Sequence, residues 1–71
     1  MNRINPDKLH HSKWTATRPT AKEKHFIVVE LLRDEHEHVV QAVLEAVLTR
    51  RRITLAWRDL NDDEHWQTGW R

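Results

Sequence analysis

Four tryptophans in a chain of 71 residues that has no cysteine set the terms on which this sequence folds. A chain this short sits at the lower edge of what a single core holds without staples. Disulfides and thiolate metal sites are both excluded. Each indole buries about 150–250 Å² and supplies the missing apolar area. Self-association is the second way to gain buried surface. The tryptophans are therefore packing elements before they are binding elements. The single glycine, Gly69, leaves no Gly-rich loop to cradle a phosphate.

The periodicity predicts an α+β chain, mainly β. Its expected form is a three-stranded antiparallel meander with short N- and C-terminal helices, all in a single domain over residues 1–71. Asn5-Pro6-Asp7 reads as a helix start, with Asn as cap, Pro at the first helical position and an acid in the first turn. Residues 1–24 read as a basic N-terminal arm, a loop pinned by Trp14 and broken at Arg18-Pro19. The sheet is expected over 25–58. Its first strand, 25–33, has Phe26, Val28 and Leu32 on one side and Ile27, Val29 and Leu31 on the other. Asp34 to Glu37 reads as a hairpin loop. Residues 38–49 fit a helical stripe (Val40, Val43, Leu44, Val47, Leu48) or a strand with Val40, Ala42, Leu44, Ala46 and Leu48 on one face. The wealth of β-branched Val and the need for a third strand decide for the strand. Ile53, Leu55 and Trp57 alternate with Thr54, Ala56 and Arg58 in the last strand. A C-terminal helix is expected over 59–71, opened by a capping box from Asn61 to Glu64, closed by Gly69, with Trp66 and Trp70 on one side.

Charge is unevenly spread. Residues 1–24 hold six Lys/Arg against two acids, residues 25–49 one against five, and residues 50–71 five against four. The overall +1 is weak for a dedicated nucleic-acid binder. Arg50-Arg51-Arg52 is the densest basic cluster, able at a turn to clamp a phosphate or carboxylate. Trp14 beside Lys13 and Trp70 beside Arg71 have the make-up of a stacking platform or an interface anchor. His36 and His38 have the only metal-like spacing, with Asp34 or Glu35 as a third ligand, and four zinc ligands are wanting. Ser12 follows His11 in sequence, which makes no nucleophile–base pair in space.

The run Leu44-Glu45-Ala46-Val47-Leu48-Thr49, then Arg51, Trp57-Arg58-Asp59-Leu60, Trp66 and Gly69-Trp70, resembles a family of small bacterial tryptophan-rich proteins of unknown function. Asn5-Pro6, Leu9, Ser12-Lys13-Trp14-Thr15 and Lys22-Glu23-Lys24-His25-Phe26 resemble it too. The resemblance implies one design that uses all four tryptophans, and it brings no activity with it.

The expectation is a non-enzymatic binding module that needs no cofactor and uses Trp14, Arg50, Arg51, Arg52 and Trp70. A protein partner or a second copy ranks first, and RNA or single-stranded nucleic acid through exposed Trp and Arg second. A His-based metal protein ranks third. The longest apolar run, Phe26 to Val29, is too short to span a bilayer, so no membrane partner is expected. The polar first residues lack the apolar stretch of a secretory signal, which makes the cytoplasm the expected location.

Overall fold

A computed structural model describes residues 2–71. Five strands form one antiparallel sheet: β1 (Lys13–Thr20), β2 (Glu23–Arg33), β3 (Val39–Ala46), β4 (Arg52–Ala56) and β5 (Trp66–Thr68), in spatial order β4-β3-β2-β1-β5. Two 3-10 turns, Pro6–Lys8 and Trp57–Asn61, are the helical elements among the described residues. This corrects the expected three strands and terminal helices.

Each difference has a local cause. Trp14, Thr15, Thr17 and Thr20 are β-formers, and β1 pairs Trp14 with Phe26 and Thr15 with His25. Pro19 had marked this stretch as a loop. It is tolerated because residues 16–19 of β1 stand against Lys24 alone, where the β1–β2 ladder is interrupted. Once 13–20 is a strand, its outer edge carries unpaired backbone groups. Trp66–Thr68 satisfy them by pairing with Trp14, Thr15 and Ala16. The segment after Asn61 is too short to hold a helix by itself, and this edge outcompetes it. The cap there is Asp62 and not Asn61: its carboxylate accepts from the Glu64 N–H at 2.9 Å, in a turn that leads into β5. At the N-terminus, Asn5 caps as expected, accepting from the Asp7 N–H at 3.1 Å, but the element is a single 3-10 turn.

The ambiguous segment is a strand from Val39 to Ala46. It ends early enough for Val47–Arg50 to make the turn, with the Arg50 N–H donating to Ala46 O and the Ala46 N–H to Arg51 O. Leu48 thus lies in the turn, 68% exposed, and does not share the inner face of Leu44, which is 0% exposed.

β2 also departs from simple alternation. Val28 pairs with Leu44 and Glu30 with Val43, so β2 carries an extra residue at a bulge. The bulge reverses the faces, and it is Leu31, not Leu32, that joins Phe26 and Val28 against the core.

One face of the sheet carries the core: Trp14, Phe26, Val28, Ala42, Leu44 and Ala46, covered by Leu9 and Leu60 from the two 3-10 segments. Ile4, Ile53, Leu55, Trp57 and Trp66 pack around it half-buried. The second face is partly covered by the C-terminus. Thr15 Oγ1 donates to Gly69 O at 2.6 Å and accepts from the Arg71 N–H at 3.0 Å. Trp70 Nε1 donates to Phe26 O at 2.9 Å.

The topology converts the uneven charge of the sequence into a polarity of the fold. The β1–β2 and β3–β4 turns share one end of the sheet and gather Lys22, Lys24, Arg50, Arg51 and Arg52. The β2–β3 turn at the opposite end carries Asp34, Glu35 and Glu37.

Candidate functional site

The ladder interruption in β1 opens a groove of about 270 Å³ on the core face, at the basic end. Ala16, Arg18, Pro19 and Thr20 form one bank where β1 swings away from β2. Arg51 and Ile53 form the other, and Phe26, Trp66 and His65 contribute between them. The Trp66 ring meets Phe26 edge-on, with centroids 5.3 Å apart. A second hollow shares Trp66 and His65 and continues to Arg58, Asp59 and Asp62.

Glu23 anchors the charge in this groove. Its side chain is 3% exposed and accepts two hydrogen bonds from Arg51 Nε, at 3.0 and 3.1 Å, with a further one from Arg51 Nη2. Thr49 Oγ1 donates to the other oxygen at 2.5 Å. The Arg51 hydrogen bonds, then that of Thr49, hold the carboxyl below its ordinary range against the opposing effect of burial. Glu23 in turn holds Arg51 more firmly protonated. The acid is thus fully engaged, while Arg51 remains more than half exposed.

Two residues that line the groove carry uncommitted donors. No carboxylate among the described residues is within ion-pair distance of Arg18, although Asp62 feels its charge at longer range. Trp66 Nε1 donates to no protein acceptor among the described residues, unlike Trp14 Nε1, which donates to Ser12 Oγ at 2.9 Å. In the second hollow, Asp62 accepts from His65 Nδ1 and from the Glu64 N–H, and both hold it below the usual carboxylate range.

The residues singled out from sequence do not form one site. Trp14 is 2% exposed, in the middle of the core, and has no face to offer. Trp70 lies on the opposite face of the sheet from the groove, 44% exposed, with the Lys13 ammonium 4.7 Å from the ring centroid and His25 at 6.0 Å. The three arginines part company because successive residues at a strand end alternate in direction. Arg50 and Arg52 share Glu45 at 3.8 and 3.1 Å, whereas Arg51 turns to Glu23 and the groove. Arg18, His65 and Trp66 were missed as a group because no spacing in sequence links β1 to β5. The signal available was Pro19 in a threonine-rich strand, which marks an interrupted ladder.

The histidine motif is occupied otherwise. Asp34 Oδ1 accepts from the His36 and His38 N–H groups at 2.8 and 3.0 Å, shaping the turn. Among the described residues, no group of three or more His, Asp or Glu side chains is placed to hold a metal ion. His10 and His11 lie in a turn and stack with centroids 3.8 Å apart. Ser12 Oγ is committed to donating to Leu9 O while it accepts from Trp14. No described helix is long and apolar enough to cross a membrane.

Comparison with curated proteins gave no match, and comparison with solved structures gave none. A family model does match, over residues 12–71, from the serine that receives the Trp14 indole to the C-terminal residue. The chain belongs to the tryptophan-rich protein family DUF2389, a family of unknown function.

Proposed function

We propose that the protein is a non-enzymatic binding module whose groove receives an acidic segment of a partner protein. The observation that carries this reading is the pair of uncommitted donors, the Arg18 guanidinium and the Trp66 indole N–H, on a groove whose own acid is neutralised by Arg51. A carboxylate entering it gains a charge-assisted hydrogen bond from Arg18, and the apolar part of the segment rests on Trp66, Ile53 and Pro19. Arg50, Arg52, Lys22 and Lys24 at the same end add long-range attraction. No catalytic step is assigned: Ser12 is engaged, and Glu23 is locked in an ion pair.

A second reading rests on the same neighbours. Trp66 beside Arg18 and Arg51 offers a base a π-face and its phosphate a guanidinium. The two separate in one titration, following tryptophan emission with a glutamate-rich peptide and with single-stranded RNA at low and physiological salt. The proposal expects the peptide to shift the emission and Arg18→Ala to abolish the shift. Quenching by RNA that falls steeply with salt, with no response to peptide, gives the site to nucleic acid. Silence towards both ligands, or an Arg18→Ala response equal to wild type, removes the groove as the site.

A further inference from the structure

We propose that two copies of this chain pair antiparallel along β4, extending the five-stranded sheet across a two-fold axis at Thr54. β4 is an edge strand with β3 on one side only. The Ala46 N–H donates to Arg51 O, which fixes the alternation of the β3–β4 ladder. Ile53 opposite Leu44 and Leu55 opposite Ala42 turn their backbone groups towards β3. Arg52, Thr54 and Ala56 turn theirs outward, and all three are exposed.

That outward row is self-complementary. A copy rotated about Thr54 sets Thr54 against the partner's Thr54, a pair able to exchange both ladder hydrogen bonds, and Arg52 against the partner's Ala56, whose N–H is free to donate while its carbonyl caps the Trp57–Asn61 turn. On the core face, the same register sets Ile53 beside the partner's Leu55. These two residues are the half-buried rim of the core, so the apolar layer continues through the seam. Ile53 also lines the groove, which therefore gains a longer apolar wall in the pair.

Charge selects the antiparallel sense. β4 runs from the basic end at Arg52 to the level of the β2–β3 turn, where Asp34, Glu35 and Glu37 sit with the counter-charges of Arg33 and Arg58. The rotation brings Arg50 and Arg52 alongside the acidic end of the second copy, whereas a parallel pairing sets like ends together. Proteins keep such edges apart with short strands, charged side chains, proline or bulges; β4 is five residues long and carries one such charge, Arg52 at its end, while residues 53–56 carry no charge, proline or bulge.

Sedimentation equilibrium of the full chain across the micromolar to millimolar range is the primary test, alongside amide hydrogen exchange. The expected mass rises to two chains, and protection at Thr54 rises with it, while Ile53 and Leu55 are protected at every concentration. Thr54→Lys sets two ammonium groups against each other on the axis and returns the mass to one chain. Thr54→Pro removes an outward N–H that the monomer does not use and does the same, with tryptophan emission reporting an intact fold. A wild-type chain that stays monomeric overturns the proposal. A dimer whose Thr54 amide stays unprotected, or one that survives Thr54→Lys, places the interface elsewhere and overturns it equally.

Discussion

The buried carboxylate of Glu23 holds the exposed guanidinium of Arg51 across the turn end of the sheet, the first side chain 3% and the second 58% exposed. The two residues are adjacent in space because the β1–β2 turn and the β3–β4 turn close the same end. One partner is therefore fixed by the fold, and the other is presented at the bank of the groove. Glu23 also lines the groove, so Glu23→Gln both removes the ion pair from the fold and leaves the Arg51 charge in the groove unopposed.

The pH dependence follows from the direction of the shifts. Hydrogen bonds from Arg51 lower the Glu23 carboxyl; the His38 N–H does so first for Asp34, and His65 for Asp62. A carboxyl whose folded pKa lies below its unfolded value stabilises the fold at pH above the unfolded value. That contribution is lost as pH falls through the folded pKa. With unfolded values of about 4, the urea midpoint is expected to hold from about pH 7 to pH 5 and to drop below about pH 4. Glu23→Gln is expected to be less stable at neutral pH and to drop less steeply in acid, because Asp34 and Asp62 still titrate. A parallel drop in wild type and variant would show that the Arg51 pair contributes nothing.

Replacing Ala21 and Lys22 by Asn and Gly is expected to stabilise the fold by about 1 kcal/mol. Both residues have positive φ, 51° and 62°, in the two-residue connection from Thr20 to Glu23. That backbone suits Asn-Gly, and neither Ala nor Lys favours it. Urea unfolding of the double variant checks this, and an unchanged midpoint would mean that the turn stores no strain.

Leu44→Ala is expected to cost about 2–5 kcal/mol, and Leu48→Ala less than about 0.5 kcal/mol. The contrast comes from the end of β3 at Ala46, which leaves Leu44 in the buried core cluster and sends Leu48 into solvent. Chemical denaturation of both variants measures it. Equal losses would require Leu48 to be covered in solution.

The same two leucines show what the sequence makes legible. Alternation finds β2, β3 and β4, because each is apolar on a face it must bury, and the density of Val settles β3 against a helix. Alternation does not mark where a strand stops, and it fails at the Val29–Glu30 bulge, where one extra residue turns Leu31 inward. β1 and β5 were hidden for a different reason. Trp66–Thr68 is a strand only because β1 offers an edge, and β1 reads as a loop because Pro19 stands where its ladder is broken. The groove depends on that break and on three segments far apart in the chain, so neither composition nor spacing points to Arg18 beside Trp66. The family likeness tied the four tryptophans together but not to one surface: Trp14 is core, Trp66 lines the groove, and Trp70 lies on the opposite face.

Gly69→Ala is expected to cost about 1–2 kcal/mol, although an added Cβ would meet nothing within 4 Å. The cost arises in the backbone, which has φ of +77° at this position. This left-handed residue redirects the chain from β5 onto the second face, where its carbonyl accepts from Thr15 Oγ1 and the next residue sends its indole N–H to Phe26 O. Asn tolerates the same φ better than Ala, so the order of stability is expected to be Gly69, then Gly69→Asn, then Gly69→Ala. Crowding would give a different order, since Asn is larger than Ala. Urea midpoints decide between the two causes, and a red shift of tryptophan emission in Gly69→Ala alone reports Trp70 leaving the sheet.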